Sequence, residues 1–213
     1  LAKKWRNGRV FIAGDAAHLM PPFMGQGMCA GIRDVSNLAW KISHCLINKH
    51  EEKLLNTYQS ERFSNVKEYI ETTMRMGEFV NAVGKSPITN NISADSKGRK
   101  SMKSIKPRLG HGLGDLKDKF RGKIFPQFII KKNKKLDEKF SLKPALIISD
   151  EIKKNISSKI KLIKSKNIKN LELFFKKHNC KAVIVRPDRF ILSSCTSVKN
   201  FNSYLNKNLS LLT

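Results

Sequence analysis

The sequence predicts an α/β protein, and three observations carry that reading. A short apolar run, Val10 to Ala13, stops at Gly14-Asp15. A glycine-punctuated helix start, Gly25-Gln26-Gly27, opens a long stretch with helical periodicity. In the last third of the chain, short β-branched runs alternate with amphipathic helical stretches.

Leu1 to Gly8 is a polar lead-in, with Trp5 placed to pack at the edge of the next element. Val10 to Ala13 then reads as a buried strand, and Pro21-Pro22 marks an ordered loop. The first helix carries Met28, Ile32, Val35, Leu38, Ala39, Ile42 and Leu46 at three-to-four spacing, which predicts that this face is buried. After a turn over Asn48 to Glu52, a second helix runs from Leu54 to Val83, with Leu55, Tyr58, Val66, Tyr69, Ile70, Met74 and Val80 along one face. From Gly84 to Gly122 the pattern dissolves into Ser, Asn, Lys and Gly with Pro87 and Pro107, as in a linker or long surface loop. Beyond it, Ala145 to Ser149 reads as a strand and Ile168 to His178 as an amphipathic helix with Leu171, Phe174 and Phe175 on its apolar side. Ala182 to Val185 and Phe190 to Ser193 are strands around the turn Arg186-Pro187-Asp188, which permits an antiparallel hairpin. Val198 to Leu209 closes the chain as a helix. The expected organisation is a first unit over 1–83, a linker over 84–122 and a small α/β unit over 123–213.

With 213 residues, 40% of them hydrophobic, the chain can bury a core, and no apolar run approaches the length of a membrane span. No targeting signal is visible. Cys29, Cys45, Cys180 and Cys195 lack C-x-x-C spacing, which predicts reduced, buried thiols in a cytoplasmic protein. His18 and His111 have no ligand-spaced partners, so packing or capping is expected of them and a metal site is not. The formal charge of +25 would draw polyanions. Its lysines are dispersed, and no zinc-finger or RNP signature accompanies them, so non-specific adhesion at low salt is expected and specific nucleic-acid recognition is not. A basic nucleic-acid-binding protein is kept as an alternative reading.

The residues with chemical potential are Asp15 and the helix start. An ionised Asp is an acceptor for ligand hydroxyls. The amides near Gly25, Gln26, Gly27 and Met28 precede closure of the helix ladder and, with the dipole, favour a delocalised negative charge. Glycines there allow a bulky ligand close to the backbone. The plainer alternative is ordinary packing, with Asp15 as a helix cap. The pairs Glu61-Arg62 and Arg33-Asp34 are expected to be structural ion pairs, and Arg186 and Asp188 to stabilise their turn, with an interface role open.

The run GDAAHLMPPFMGQGMCAGIRDVSNLAWKI resembles the second FAD-binding motif of the flavin-dependent aromatic hydroxylases, single-component monooxygenases, and is most similar to the branch acting on 3-(3-hydroxyphenyl)propanoate. The resemblance implies a partial FAD-binding, Rossmann-like domain with long helices. In it, Gly14 and Asp15 would meet the ribityl chain, Pro22 would lie beside the isoalloxazine, and amides of Gly25, Gln26, Gly27 and Met28 would face its pyrimidine edge. NADH or NADPH would reduce the flavin, and one atom of O2 would pass to a phenolic ring. LLNTYQSERFSNVKEYI and GKIFPQ resemble later segments of the family, and AVIVRPDRFIL resembles its thioredoxin-like C-terminal domain, which lacks redox cysteines.

The family's G-x-G-x-x-G turn for the pyrophosphate does not occur; Gly110, Gly112 and Gly114 come near in spacing but follow no strand. The expectation is therefore a C-terminal fragment. It would pair with an N-terminal FAD-binding half and a small aromatic substrate, away from membranes, with assembly as a homo-oligomer left open. No side chain here reads as a catalytic acid or base. The rival within the same resemblance is a truncated, non-catalytic remnant.

Overall fold

The computed structural model describes residues 1–48, 53–81, 92–94, 100–102, 105–131, 134–140, 143–153, 160–166 and 168–209. The expected turn over 48–52 lies almost wholly outside these residues. Strands β1 (Arg6–Asn7) and β2 (Val10–Phe11) form a two-residue antiparallel ladder around Gly8. The expected buried strand Val10 to Ala13 is thus corrected: the ladder stops at Phe11, and Val10 is 68% exposed. Ile12 spends its N–H on the Trp5 carbonyl, and its own carbonyl accepts the Tyr58 hydroxyl at 3.0 Å. The segment is tied to a helix rather than to a wide sheet. Trp5, Ala17, Tyr58 and Val66 form the small core beneath it.

Two single turns of 3-10 helix follow, Gly14–Ala16 and Pro22–Met24, and then α1 (Gly27–Asn48) and α2 (Lys53–Asn81) pack on each other. Helix α1 inverts the expectation. Its buried positions are Ala30, Asp34, Asn37, Trp40 and Lys41, whereas Met28, Ile32, Val35 and Leu46 are 77%, 57%, 56% and 75% exposed. Leu38 of the predicted stripe packs against the Trp5–Tyr58 cluster, but the most buried face of the helix is the opposite one. The reason lies in α2, whose inward face contributes Glu61, Arg62 and Asn65 beside Tyr58, Val66 and Tyr69, so the interface matches charge with charge.

The stretch read as linker or surface loop is packed over its described part, 105–122: Leu109, Phe120 and Arg121 are buried. Its glycines allow this. A Cβ on Gly110 would lie 2.3 Å from the Ser60 carbonyl oxygen, and one on Gly112 2.3 Å from the Glu61 side chain. The glycine spacing that came near a phosphate-binding turn serves close packing against α2. Strands β3 (Ile92–Ala94) and β4 (Lys100–Met102) pair antiparallel earlier in the same stretch.

The remainder is a mixed sheet between two helices. After a minor pair, β5 (Ile129–Lys131) and β6 (Lys134–Lys135), come β7 (Ala145–Ile148), β8 (Lys161–Lys164), α3 (Lys169–Lys177), β9 (Ala182–Val185), β10 (Ile191–Cys195) and α4 (Phe201–Leu209). The sheet order is β10-β9-β7-β8, with β7 parallel to β8 and antiparallel to β9. Every residue of β7 and β9 is buried. Ala145, Ile147, Val183 and Val185 meet α3 through Leu171 and Phe175, while Leu146, Ile148, Ala182 and Ile184 meet Phe201 of α4. Two covered faces explain the unbroken apolar runs. Strand β8 has no counterpart in the sequence reading, because its flanking Lys161 and Lys164 are exposed, as suits an edge strand, and hide the pattern. No helix among the described residues is long and apolar enough to cross a membrane.

Leu171 is fully buried against this sheet. Leu171→Ala should lower unfolding free energy by about 2–5 kcal/mol, read from the urea midpoint at unchanged slope.

Candidate functional site

Gly14 sits at φ +58, a left-handed conformation that its lack of a side chain permits. Its N–H donates to Asp34 Oδ2 at 3.1 Å, and its carbonyl accepts the amides of Ala17 and His18 at 2.8 and 2.9 Å. A Cβ on Gly31 of α1 would lie 3.3 Å from the Gly14 Cα, so turn and helix touch backbone to backbone. Asp15, next in the chain, is exposed at the apex of this turn. The turn that carries Asp15 thus rests on Gly31, one helical turn into α1, and leaves the side chain of Asp15 exposed.

The second turn is set by Pro22, whose fixed φ suits the first helical position. Phe23 lies against Gly77 of α2, where a Cβ would come within 2.3 Å of its ring. Gly25 ends the turn at φ +59 and donates its N–H to the Pro22 carbonyl at 2.9 Å. That corrects one part of the sequence reading: the Gly25 amide is already committed. The Gln26 carbonyl accepts the Ala30 amide at 2.8 Å, which begins the helix ladder. The amides of Gly27, Met28 and Cys29 precede the first intrahelical acceptor, and they carry the positive end of the helix dipole. The space above them is open. A Cβ on Gly25 would meet nothing within 4 Å, and one on Gly27 only the Met20 Cβ at 4.0 Å. Met28 stands exposed beside them.

Beneath the two turns lies a buried ionic lattice that the sequence reading treated as local pairs. Glu61 and Arg62 do not pair with each other, nor does Arg33 pair with Asp34. Arg62 Nε donates to Asp34 Oδ1 at 2.7 Å, and His18 Nε2 lies 2.5 Å from Asp34 Oδ2. The Arg33 guanidinium instead stacks over Tyr69 at 5.2 Å. Glu61 accepts from both terminal nitrogens of Arg186 at 2.8 and 2.9 Å, from Lys41 at 2.8 Å, from Asn37 at 3.1 Å and from the Leu113 amide at 2.9 Å. Asp188 accepts from Arg186 at 2.6 Å and from Asn37 at 2.9 Å. The turn Arg186-Pro187-Asp188 is therefore an interface that joins the C-terminal sheet to α1 and α2.

Adjacent residues of an α-helix cannot share a partner easily, because their side chains diverge by about 100°. Glu61 and Arg62 consequently take different partners on α1, Glu61 meeting Lys41 and Asn37, and Arg62 meeting Asp34. Burial alone would raise the Glu61 carboxyl, but Arg186 and Lys41 hold it well below the ordinary range. Asp34 is treated alike: burial raises it, and His18 and Arg62 overcome that and lower it. Burial pushes Lys41 down to about 8 against the pull of Glu61. The sequence did contain a signal for this lattice. Asp34, Asn37 and Lys41 repeat at helical spacing and mark a polar stripe opposite the apolar one.

A glycine turn resting on a helix and a small mixed sheet make an α/β chain, and comparison with known proteins shows what it resembles. Residues 1–73 match the family described as "FAD binding domain". The chain is 37% identical over 134 residues to a probable NADH-specific resorcinol 4-hydroxylase of Rhodococcus jostii, a match covering 61% of this chain and 24% of that protein. It is 46% identical over 77 residues to a 3-(3-hydroxy-phenyl)propionate/3-hydroxycinnamic acid hydroxylase of Escherichia coli, covering 36% of this chain and 14% of that protein. In fold it resembles aklavinone-11 hydroxylase, solved with FAD and aklavinone, at a TM-score of 0.57 and 19% identity over 99% of this chain and 45% of the other. It also resembles the flavin-dependent monooxygenase PieE, at 0.64 and 14% over 100% and 49%. Residues 1–73 are therefore similar to the FAD binding domain, and the relatives named here that the chain resembles in sequence are hydroxylases. The chain spans about a quarter of the length of the resorcinol hydroxylase it matches.

Glu61→Gln should leave Lys41 and Arg186 in excess of buried negative charge and cost about 3–5 kcal/mol at neutral pH. A carboxylate whose folded pKa is depressed stabilises the fold above its ordinary value and loses that contribution as pH falls. Wild-type stability should therefore decline below about pH 4.5, the ordinary value for Glu61, and Asp34 should add to the decline below 3.8. Urea unfolding at a series of pH values should show a shallower acid decline in Glu61→Gln.

Proposed function

We propose that the chain forms the ribityl and ring-edge side of the flavin site in an FAD-dependent monooxygenase that hydroxylates a phenolic ring with NADH or NADPH and O2. The carrying observation is the Gly14-Asp15 turn, braced on Gly31 and Asp34 of α1 with Asp15 exposed, on the same helix whose start at Gly27 is open. The residues fit the group. Asp15 would accept ribityl hydroxyls, and the amides of Gly27 and Met28 would face the electron-rich edge of the ring, with Gln26 beside them. Pro22 and Gly25 would shape the wall of the pocket. The bound flavin would supply the redox and oxygen chemistry. The protein side is then preorganised electrostatics: dipoles already aimed where negative charge develops, with no reorganisation needed at the moment of reaction.

The exposed apolar stripe of α1 supports the further reading that this chain works with an N-terminal FAD-binding half carrying the pyrophosphate turn. Met28, Ile32, Val35 and Leu46 form a patch of the kind that marks an interface. We place such an enzyme in the cytoplasm, where its four free cysteines would stay reduced. The same stripe favours one rival. A remnant without its other half would expose that face, aggregate and bind no flavin.

Flavin titration tests the proposal. Asp15→Ala should weaken FAD binding by about 10- to 100-fold, the worth of a charge-assisted hydrogen bond, without changing the unfolding midpoint. Because the Cβ position of Gly27 is open, Gly27→Val should leave the fold intact and still impair flavin binding. A folded wild-type protein that shows no affinity for FAD, alone or joined to its N-terminal half, would refute the proposal.

A further inference from the structure

The two halves of the ionic lattice meet at adjacent residues of α2, and that adjacency has a functional consequence. We infer that Arg186, in the C-terminal sheet unit, is a positioning residue for the Gly14-Asp15 turn. The functional part of this inference rests on the flavin reading above.

The argument follows the contacts. Arg186 grips Glu61 through both terminal nitrogens, and Asp188 of the same turn takes a hydrogen bond from Asn37 on α1. Glu61 also holds Lys41 of α1. One hairpin turn therefore clamps both helices, each at a fully buried point. The next residue of α2, Arg62, reaches Asp34, and Asp34 Oδ2 receives the Gly14 amide that sets the turn. Asp34, Asn37 and Lys41 lie on one face of α1, so the helix that the clamp holds is the one that holds the turn.

Geometry makes this a joint rather than a loose chain. Arg186 is buried on the Trp40 ring, with its guanidinium 5.2 Å from the ring centroid, and cannot swing into solvent to relax. Gly112 fits against the Glu61 side chain so closely that a Cβ would lie 2.3 Å away, which blocks movement of the carboxylate on that side. Packed interiors transmit such strain instead of absorbing it. Loss of the Arg186 fork leaves Glu61 with Lys41 and Asn37 of α1, the Leu113 amide and Arg121 at 3.9 Å. The balance of forces between α1 and α2 then shifts at the level of the Arg62–Asp34 contact.

The readout is the Gly14 amide, followed by NMR hydrogen exchange in the 213-residue chain. Arg186→Met should speed Gly14 exchange by about tenfold, within the range for coupling through a connected network. Arg186→Lys, which keeps the charge and loses the fork, should fall between wild type and Arg186→Met. Lys181→Met breaks the exposed Lys181–Glu151 pair in the same sheet unit and should leave Gly14 unchanged. The inference fails if folded Arg186→Met, or Arg186→Lys where the Met variant does not fold, exchanges Gly14 at the wild-type rate. It also fails if Lys181→Met speeds exchange equally, because the effect is then general loosening. FAD titration separates this result from the flavin reading. Faster Gly14 exchange with no FAD affinity in any variant sinks the flavin reading and leaves the coupling. Wild-type FAD affinity and wild-type Gly14 exchange in Arg186→Met sink the coupling and leave the flavin reading.

Discussion

The structure depends on a buried carboxylate, Glu61, and on what had to surround it. A charge taken out of water is costly unless every lone pair finds a donor. Here the donors come from three separated segments: Lys41 and Asn37 from α1, Leu113 from the loop after α2, and Arg186 from the C-terminal hairpin. Satisfying one side chain therefore fixes the mutual placement of elements more than a hundred residues apart in sequence. It also explains Gly112, where a Cβ would lie 2.3 Å from the Glu61 side chain.

Helix α1 shows how such a lattice redistributes roles. A helix with one polar and one apolar stripe ordinarily buries the apolar one. In α1 the polar stripe is inside, because α2 and the hairpin offer it charges of the opposite sign. The apolar stripe faces outward and becomes a surface with binding potential. The +25 charge gives such a chain strong non-specific attraction to polyanions and, among its copies, mutual repulsion that opposes self-association.

The flavin reading draws on the same division. Asp15 can be exposed and free for a ligand because Gly14, beside it, is fully engaged by Asp34 and Gly31. Rigidity is built underneath, and open valence is left on top. The helix start follows the same plan: the Pro22 turn consumes the Gly25 amide, Phe23 locks onto Gly77, and the amides of Gly27, Met28 and Cys29 precede the first intrahelical acceptor. Sites that hold a cofactor by position and electrostatics need this combination.

Much of this was legible in the residues. The motif around Gly14 and Gly25, both long helices, the apolar runs of β7 and β9 and the hairpin at Pro187 follow from local chemistry: backbone freedom at glycine, fixed φ at proline, and periodicity of apolar side chains. These signals lie within a few positions of one another, so the sequence by itself determines them. Which face of α1 is buried, which partners Glu61 and Arg62 take, and that 105–122 is packed rather than loose were decided only by the tertiary structure. Each is a choice between partners distant in the chain. An ion pair is specified by two side chains and the dielectric between them, and nothing in the local sequence of Glu61 announces an arginine 125 residues away.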